Sequence, residues 1–363
     1  MPAAELARLR QQLAARGLDG FFVAAPETLP RVNLRYLSGF TGSSAYLLVT
    51  AQEAWLLTDF RYVEQAEAEA GAFEVRQHER PYLKTVAALV NEAGLKRIGF
   101  EADKVPVRMW QEWREALPAV EWVDAGGLVE DLRVIKTPAE VEAIRRAAAV
   151  ADRALEALLP RLAGSTEAEW ARALETAMRE AGADRLAFPT IVASGPRGSL
   201  PHAQPTDRTI TPGDLVTIDF GATVDGYNSD ETVTVVVGTP REARQREIFE
   251  IVRAAQAAGL AAVRPGVYAS RVDEAARAVI RDAGYGPAFG HSTGHGVGLE
   301  VHEAPTLAGQ PAVDRMLEPG MVVTVEPGIY LPGWGGVRLE DTVVVTETGY
   351  ERLTRFPKEW RTV

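Results

Sequence analysis

The sequence has no cysteine among its 363 residues. Disulfides, iron–sulfur clusters and thiolate zinc sites are therefore excluded, and any metal site must use histidine, aspartate or glutamate. Histidine is itself scarce, with five in the chain, so the place of each one is informative. A chain that forms no disulfide suits a reducing compartment, and we expect a cytoplasmic protein.

Long apolar segments and an excess of positive charge are also missing. No run of 18 apolar residues occurs, so no membrane-spanning helix is expected. The net charge is −11, and no basic stripe is visible that would bind nucleic acid. The segment 4–17 has the leucine and arginine spacing of an amphipathic helix, without the apolar core of a signal peptide. We therefore expect neither nucleic acid nor a membrane as a partner.

What the sequence does contain is an ordinary globular composition, with 46% hydrophobic and 25% charged residues. Its length favours two domains. The first part alternates helical and strand-like segments, which predicts a mixed α/β domain. Thr137, Pro138 and Glu140 then form a capping box with proline at the first helical position, which predicts the start of a long helix. We place the boundary just before this helix and expect domains 1–131 and 132–363.

The second part of the chain contains two similar strand pairs, each preceded by two helices. A capping box at 166–169 opens one of these helices. Strands at 215–221 and 230–237 flank an Asp-Gly turn and form the first pair. The segments 321–326 and 337–346 form the second pair, joined by a connection rich in proline and glycine. The repetition suggests a duplicated half-domain.

The histidines cluster in one stretch. His291, His295 and His302 all lie within 290–303, which reads GHSTGHGVGLEVHE, and His202 lies in another loop rich in proline and glycine. Imidazole binds metals and transfers protons near neutral pH. Glycines let the backbone come close to a bound group. Such a stretch makes a poor core and is typical of a functional site.

Two aspartates are predicted to converge beside the Asp-Gly turn. Asp219 lies within an apolar strand, where an acid is costly unless it is paired or bound to a metal. A two-residue turn at Asp225 and Gly226 places Asp230 opposite Gly221, with Asp219 diagonal to Asp230 on the same face. Such diagonal positions are about 7–8 Å apart at the backbone, within reach of side chains. Two carboxylates placed in this way require a cation.

Two glutamates repeat the arrangement in the second strand pair. Glu326 ends one apolar strand, and Glu340 lies in the other. Arg338, two residues before Glu340, can steady a carboxylate of the protein or bind one on a substrate. Four carboxylates with His295 form an oxygen-rich set, which divalent ions such as Mn²⁺ or Co²⁺ prefer. Four carboxylates are more than one ion needs, so the set predicts two metal ions.

Five segments resemble, in the same order, the metal-ligand segments of the pita-bread metallopeptidases, the family of methionine aminopeptidase, aminopeptidase P and prolidase. These segments are 218–222, 229–230, 293–298, 325–328 and 337–342. The segment 35–42 also resembles the non-catalytic N-terminal domain of Xaa-Pro peptidases. The resemblance implies an α/β N-terminal domain followed by an α+β pita-bread (creatinase/aminopeptidase-like) catalytic domain.

The resemblance also implies a metal-binding role for five residues. Asp219 would hold one ion and His295 the other, while Asp230 and Glu340 would bridge or chelate. Glu326 would be a further ligand. In this family a metal-bridging hydroxide attacks the scissile carbonyl, and the glutamate at position 326 is expected to handle its proton.

The other histidines of the two loops match the family's histidines that are not ligands. His202, His291 and His302 are expected to contact the substrate and to stabilise the developing oxyanion, as catalytic groups beside Glu326. His202, His302 and Arg338 are the expected substrate-binding residues.

The implied substrate is a dipeptide or short peptide with proline after the scissile bond, an amide that general peptidases handle poorly because it lacks an N–H group. We expect a Xaa-Pro dipeptidase (prolidase). The alternative is a Xaa-Pro aminopeptidase (aminopeptidase P), and a remoter one is a non-catalytic peptide-binding module. The two ions are expected to be Mn²⁺, with Co²⁺ or Zn²⁺ as alternatives. The family also implies a homodimer, in which Asp59 and Arg61 of a neighbouring subunit help to close the pocket.

Overall fold

The structure is a computed structural model that describes residues 2–363. The chain divides into two compact units, Met1–Arg133 and Val134–Val363. Among the described residues, no helix combines the length and the apolar character needed to cross a lipid bilayer.

The first unit contains six helices and six strands within the described residues. In chain order they are α1 (Pro2–Arg16), β1 (Gly20–Ala25), α2 (Val32–Ser38), β2 (Ala45–Thr50), β3 (Ala54–Thr58), α3 (Val63–Glu69), β4 (Glu74–Gln77), α4 (Leu83–Glu92), β5 (Arg97–Phe100), α5 (Val107–Ala116), β6 (Glu121–Asp124) and α6 (Leu128–Arg133).

A mixed six-stranded sheet organises this unit, with strand order β4-β3-β2-β1-β5-β6. Every residue of β1 and of β2 is buried, as expected for central strands covered on both faces. The ring of Phe22 on β1 meets Trp113 of α5 edge to face, with ring centroids 5.0 Å apart. The predicted α/β class is confirmed. The sequence does not predict α2, a helix of seven residues that begins without a side-chain cap.

The second unit contains the remaining helices and strands. In chain order they are α7 (Pro138–Leu158), α8 (Glu167–Glu180), β7 (Arg185–Leu186), β8 (Ile191–Ser194), β9 (Leu215–Phe220), β10 (Ala222–Val224), β11 (Tyr227–Asn228), β12 (Glu231–Val236), α9 (Ala243–Ala262), α10 (Ala269–Asp282), β13 (Gly294–Gly296), β14 (Glu303–Leu307), β15 (Val322–Val325), β16 (Gly328–Leu331), β17 (Gly335–Arg338), β18 (Asp341–Val345) and β19 (Tyr350–Arg352), with short 3₁₀ helices at Leu159–Arg161, Gly195–Ser199 and Gly286–Ala288.

Both predicted capping boxes are present. The backbone N–H of Thr137 donates to the Glu140 carboxylate at 2.7 Å, and the backbone N–H of Glu140 donates to Thr137 Oγ1 at 3.3 Å. Thr166 and Glu169 form the same reciprocal pair at the start of α8. These caps fix where α7 and α8 begin because they satisfy N–H groups that the helix itself leaves unpaired.

The first strand pair passes from one sheet into another at Asp230, a candidate site residue. Strands β9 and β12 pair as far as Phe220 and Glu231, and β10 and β11 continue the same register in another sheet. Gly221 and Asp230 lie at the break, so the predicted register is confirmed. A Cβ on Gly221 would lie 2.2 Å from the carbonyl oxygen of Ser229, so only glycine fits there.

The second strand pair is broken in the same way. Strands β15 and β18 pair as far as Val325 and Asp341, and β16 and β17 continue the register in a separate two-stranded sheet. Glu326 and Glu340 therefore face each other at the break. Each break places candidate ligands where one sheet ends and the next begins.

The connection between these strands differs from the prediction. The sequence predicts only a connection rich in proline and glycine, with strands on either side, but this segment contains β16 and the start of β17. The reason is close packing of backbones. A Cβ on Gly336 would lie 2.1 Å from the carbonyl oxygen of Gly198, so the glycine serves a close approach rather than an irregular loop.

Candidate metal centre

His295 lies in the middle of β13, where two glycines let neighbouring backbone approach closely. A Cβ on Gly294 would lie 2.0 Å from the oxygen of Thr324, and one on Gly296 would lie 2.2 Å from the oxygen of Ala304. The Nδ1 atom of His295 is 3.0 Å from the carbonyl oxygen of Gly296. A carbonyl can only accept, so Nδ1 carries the proton and Nε2 keeps a lone pair for a metal ion.

Carboxylates from both strand breaks surround His295 Nε2. This atom is 3.6 Å from Asp230 Oδ2 and 3.4 Å from Glu326 Oε1. Asp230, His295 and Glu340 each offer one ligand atom, and these three atoms lie within 4.8 Å of one another. The negative charge of Asp219 acts on the pKa of all four groups. The structure therefore brings all five predicted ligands to one place.

Burial and mutual repulsion raise the pKa values of three of these carboxyl groups. For Asp230 and Glu340 burial is the largest cause, and the neighbouring carboxylates add to it. Burial raises the pKa of Glu326 to about 8, against the opposing charge of Arg338. Burial lowers the pKa of His295, so its imidazole is neutral at pH 7. Such a set of acids exchanges its protons for a divalent cation.

Two buried carboxylate oxygens of this site, Asp219 Oδ1 and Glu340 Oε1, have no hydrogen-bond partner among the described residues. A buried carboxylate oxygen is costly unless it is paired or bound to a cation. The other oxygens are held in place, since Glu340 Oε2 accepts from Thr232 Oγ1 at 2.7 Å and Asp219 Oδ2 accepts from Arg338 at 2.7 Å. Carboxylate oxygens with one imidazole nitrogen fit a divalent ion such as Mn²⁺, Co²⁺ or Zn²⁺.

Arg338 is buried, and every nitrogen of its guanidinium donates to another group of the protein. Nη2 donates to Asp219, and Nε donates to Thr232 Oγ1 at 3.1 Å. Nη1 donates to the hydroxyl of Tyr330 at 2.9 Å and to the carbonyl oxygen of Pro201 at 3.2 Å. Arg338 therefore orients Asp219, and its binding of a substrate carboxylate stays a prediction.

His291 is linked to this arginine through a tyrosine. Its Nδ1 is 2.7 Å from the carbonyl oxygen of Ser292, and its Nε2 is 2.8 Å from the hydroxyl of Tyr330. Nδ1 must donate to the carbonyl, so the tyrosine hydroxyl donates to Nε2. Burial, aided by the charge of Arg338, lowers the pKa of His291 to about 4. The result is a hydrogen-bonded chain from a neutral imidazole through Tyr330 and Arg338 to Asp219.

His302 and His202 are the exposed members of the histidine set. The ring centroid of His302 is 4.3 Å from that of His295. Burial lowers the pKa of His302, and the neighbouring charges of His295 and His202 act in the same direction. The charge of His202 also acts on His291. All three predicted substrate histidines thus lie within electrostatic reach of the site, and their roles stay predictions.

Three residues that orient the site are not identified from the sequence. Thr324 Oγ1 accepts from the backbone N–H of His295 at 3.0 Å. Thr232 donates to Glu340. It lies two residues after Asp230, so the alternation of side chains along a strand could have placed it on the same face as that ligand. Tyr330 lies in the connection rich in proline and glycine, where the sequence predicts no strand and gives no such signal.

Two family models cover most of the chain. Residues 142–347 match metallopeptidase family M24, and residues 5–135 match the Creatinase/Prolidase N-terminal domain. The first match alone spans more than half of the chain and includes every candidate ligand.

Similar proteins match this chain over nearly all of its length. The chain is 43% identical to the uncharacterized peptidase YqhT of Bacillus subtilis, over 98% of this chain and 99% of that one. The structure of a Xaa-Pro dipeptidase from Bacillus anthracis matches with a TM-score of 0.96 and 42% identity, covering 100% of both chains. An X-Pro aminopeptidase from Thermotoga maritima matches with a TM-score of 0.91 and 38% identity, over 96% of this chain and 98% of that one. The chain therefore belongs to metallopeptidase family M24, and its pita-bread fold is confirmed.

Proposed function

We propose that this chain is a Xaa-Pro dipeptidase (prolidase) that works with two divalent metal ions. The observation that carries the proposal is the cluster of Asp230, His295 and Glu340, whose ligand atoms lie within 4.8 Å of one another inside an M24 catalytic domain. The similar structure from Bacillus anthracis, named as a Xaa-Pro dipeptidase, supports the choice of substrate.

Five residues would hold the ions. Asp219 would serve one ion and His295 the other, with Asp230 and Glu340 shared between them and Glu326 as a further ligand. The two unpartnered oxygens, Asp219 Oδ1 and Glu340 Oε1, support this assignment. When bound, the ions would supply Lewis acidity for the scissile carbonyl and would lower the pKa of water.

The remaining residues would move protons and orient the substrate. Glu326 would take up and return a proton at its carboxylate oxygens, the role that the family resemblance implies for this position. His202 and His302 are exposed at the site and would contact the peptide, with Arg338 as a further substrate contact. His291 donates to the carbonyl oxygen of Ser292 and accepts from the hydroxyl of Tyr330, so a role at the developing oxyanion would require its Nε2 to gain a proton and turn from Tyr330 to the substrate.

The metal, the compartment and the partners complete the proposal. Mn²⁺ is the proposed ion, with Co²⁺ or Zn²⁺ as alternatives, because the donor set is mostly carboxylate oxygen with one imidazole. The proposed location is the cytoplasm. The net charge of −11 argues against nucleic acid as a partner, and the similar Xaa-Pro dipeptidase structure supports a small peptide.

We also propose a homodimer built from domains 1–131 and 132–363 of each chain. Asp59 and Arg61, the predicted contributors to a neighbour's pocket, pair with each other at 2.7 Å, and Arg61 also pairs with Glu27 at 2.8 Å. The Arg61 side chain is 45% exposed, so it retains surface for a further partner. Sedimentation at several protein concentrations would test the dimer, and a monomer at every concentration would contradict it.

A Xaa-Pro aminopeptidase is the second candidate, favoured by the similar structure from Thermotoga maritima. The deciding experiment is a cleavage time course after Mn²⁺ loading, with Ala-Pro, Ala-Pro-Ala and a longer Xaa-Pro peptide. Cleavage of Ala-Pro alone supports the dipeptidase, whereas preference for the longer peptides supports the aminopeptidase. Binding of these peptides without cleavage in Mn²⁺, Co²⁺ or Zn²⁺ would indicate the peptide-binding module instead.

A further inference from the structure

We propose that Asp273 and Arg277, one turn apart on α10, are a positioning pair for the active site. They hold the segment 289–293 in the conformation that places His291 and, through Thr293, the backbone of Glu326. The inference rests on the proposed function, because that function gives His291 and Glu326 their roles. No candidate catalytic or metal-binding residue lies on α10 itself.

Arg277 connects α10 to two carbonyl groups of the histidine segment. Its Nε and Nη2 donate to the two carboxylate oxygens of Asp273 at 2.9 and 2.8 Å. Nη1 also donates to the carbonyl oxygen of Phe289 at 2.9 Å, and Nη2 donates to that of His291 at 2.8 Å. The guanidinium carbon lies 4.2 Å from the centre of the Phe289 ring. One side chain therefore fixes two alternate carbonyls of the segment.

Asp273 fixes the next residue of the same segment. It is fully buried, and its Oδ1 accepts from the backbone N–H of Thr293 at 3.1 Å and from the Thr293 hydroxyl at 2.8 Å. The carbonyl oxygen of Thr293 in turn accepts from the backbone N–H of Glu326 at 2.7 Å. The contact path therefore runs from α10 to the backbone of a proposed metal ligand and proton carrier.

A second arginine on the same helix shows what an ordinary surface pair looks like. Arg281 pairs with Glu274 at 3.1 Å, and both side chains are about half exposed, at 53% and 50%. An ion pair that only stabilises a helix needs no contact beyond that helix. In contrast, Arg277 and Asp273 together hold three successive odd-numbered residues of the histidine segment. This difference makes Arg281 a matched control.

The substitution Arg277→Lys separates the effect of the positive charge from the effect of the guanidinium geometry. Its ammonium can keep an ion pair with Asp273, but it cannot reproduce the planar fork that also reaches two carbonyl groups. In Mn²⁺-loaded protein we expect Arg277→Lys to lower kcat on Ala-Pro by about tenfold, because small displacements of catalytic groups are costly. Its KM should change less. Arg281→Lys should leave both constants and the metal content unchanged.

A second measurement does not depend on turnover. The chain has five histidines, so ¹³C-histidine labelling gives a simple spectrum, and His291→Asn identifies the Cε1 resonance of His291. We expect this resonance to shift or broaden in Arg277→Lys and to stay in place in Arg281→Lys. The melting temperatures of both variants show whether stability changes at the same time.

Each outcome decides the inference. An unchanged His291 resonance in Arg277→Lys, or a kcat equal to that of Arg281→Lys, would show that the pair only braces the helix and would overturn the positioning role. A wild-type protein that cleaves no Xaa-Pro peptide would contradict the proposed function instead. In that case the histidine spectra alone would still accept or reject the positioning pair.

Discussion

Three of the five candidate ligands have one polar atom fixed by the protein and another left for a cation. The Nδ1 of His295 bonds a backbone carbonyl, Glu340 Oε2 accepts from Thr232, and Asp219 Oδ2 accepts from Arg338. The donor atoms that remain are therefore oriented before a cation binds. Such supporting bonds raise metal affinity because less side-chain freedom is lost on binding.

Removal of a ligand should abolish turnover without unfolding the chain. We expect His295→Ala and Asp219→Ala to lower kcat/KM by at least about 100-fold, because even the partners that support metal ligands contribute that much. Cleavage of Ala-Pro and metal content by mass spectrometry provide the measurements. His78→Ala, in the first unit, is the control and should remain active. Near wild-type turnover in either ligand variant would contradict the site assignment.

Loss of the Tyr330 hydroxyl should lower both the activity and the stability of the protein. Tyr330→Phe keeps the packing but removes the donor to His291 and the acceptor for Arg338. We expect kcat to fall by about tenfold and the free energy of unfolding to fall by about 1–3 kcal/mol, because two buried polar groups lose a partner. Kinetics and urea unfolding would test this. Tyr268→Phe, at a side chain that is 47% exposed, should change neither quantity.

At the level of strands, alternation places a second acid behind two of the candidate ligands. Glu231 follows Asp230 and Asp341 follows Glu340, so within each strand the two side chains point to opposite faces. Lys358 is buried behind both strands and pairs with Glu231 and, at 3.3 Å, with Asp341. One lysine near the C-terminus thus joins two strands that belong to different sheets.

Loss of this lysine should be costly because it would leave the buried Glu231 without its cation and remove the buried one of the two cations beside Asp341. We expect Lys358→Met to lower the free energy of unfolding by about 3–5 kcal/mol, and Glu231→Gln in the same chain to recover part of the loss. Arg352 lies 3.5 Å from Asp341 with 51% of its side chain exposed, so Arg352→Met should cost less than about 1 kcal/mol. Urea unfolding measures all three, and equal costs for the two single variants would contradict this account.

Local sequence signals predict those elements that local interactions determine. The capping boxes at Thr137 and Thr166 define helix starts because the bonds involved span three residues. The Asp-Gly turn defines the register that brings Asp219 and Asp230 to one face, since a two-residue turn leaves one pairing. The candidate ligand carboxylates are also predictable from local sequence, because an acid within an apolar strand is rare and stands out.

Contacts between distant segments are not predictable in this way. Tyr330 and Lys358 contribute through partners that lie far away in sequence, and no periodicity marks them. The glycines of the connection before β17 resemble those of a flexible loop, although Gly336 serves a close approach of backbones. Sequence patterns single out the candidate ligands that the structure brings together, and they miss much of the support around them.

The stability of the whole chain should depend on pH more strongly without metal than with it. The pKa of Glu326 rises from an ordinary value of 4.5 to about 8 in the folded state, and Asp230 and Glu340 shift in the same direction. Above about pH 6 these carboxyl groups keep protons that the unfolded chain has lost. This outweighs the opposite effect of the lowered pKa values of His291, His295 and His302, so the free energy of unfolding falls as pH rises. A bound cation replaces the protons and removes this loss.

Melting temperatures would test this linkage. Metal-stripped protein should melt at a lower temperature at about pH 8.5 than at about pH 6, and Mn²⁺ should raise the melting temperature more at the higher pH. Glu326→Gln should weaken the pH dependence of the stripped protein because one titrating group is gone. A stripped protein that becomes more stable over this range would contradict the linkage.

The two broken strand pairs have a consequence for how assembly of the chain from fragments can be measured. One pair supplies Asp219 and Asp230, and the other supplies Glu326 and Glu340, so neither segment alone contains the full set. A chain cut between Val236 and Ala243 would leave two of the four carboxylates on each fragment. Cation retention would then act as a sensor of reassembly, because only fragments that have found each other could hold the metal as the intact chain does.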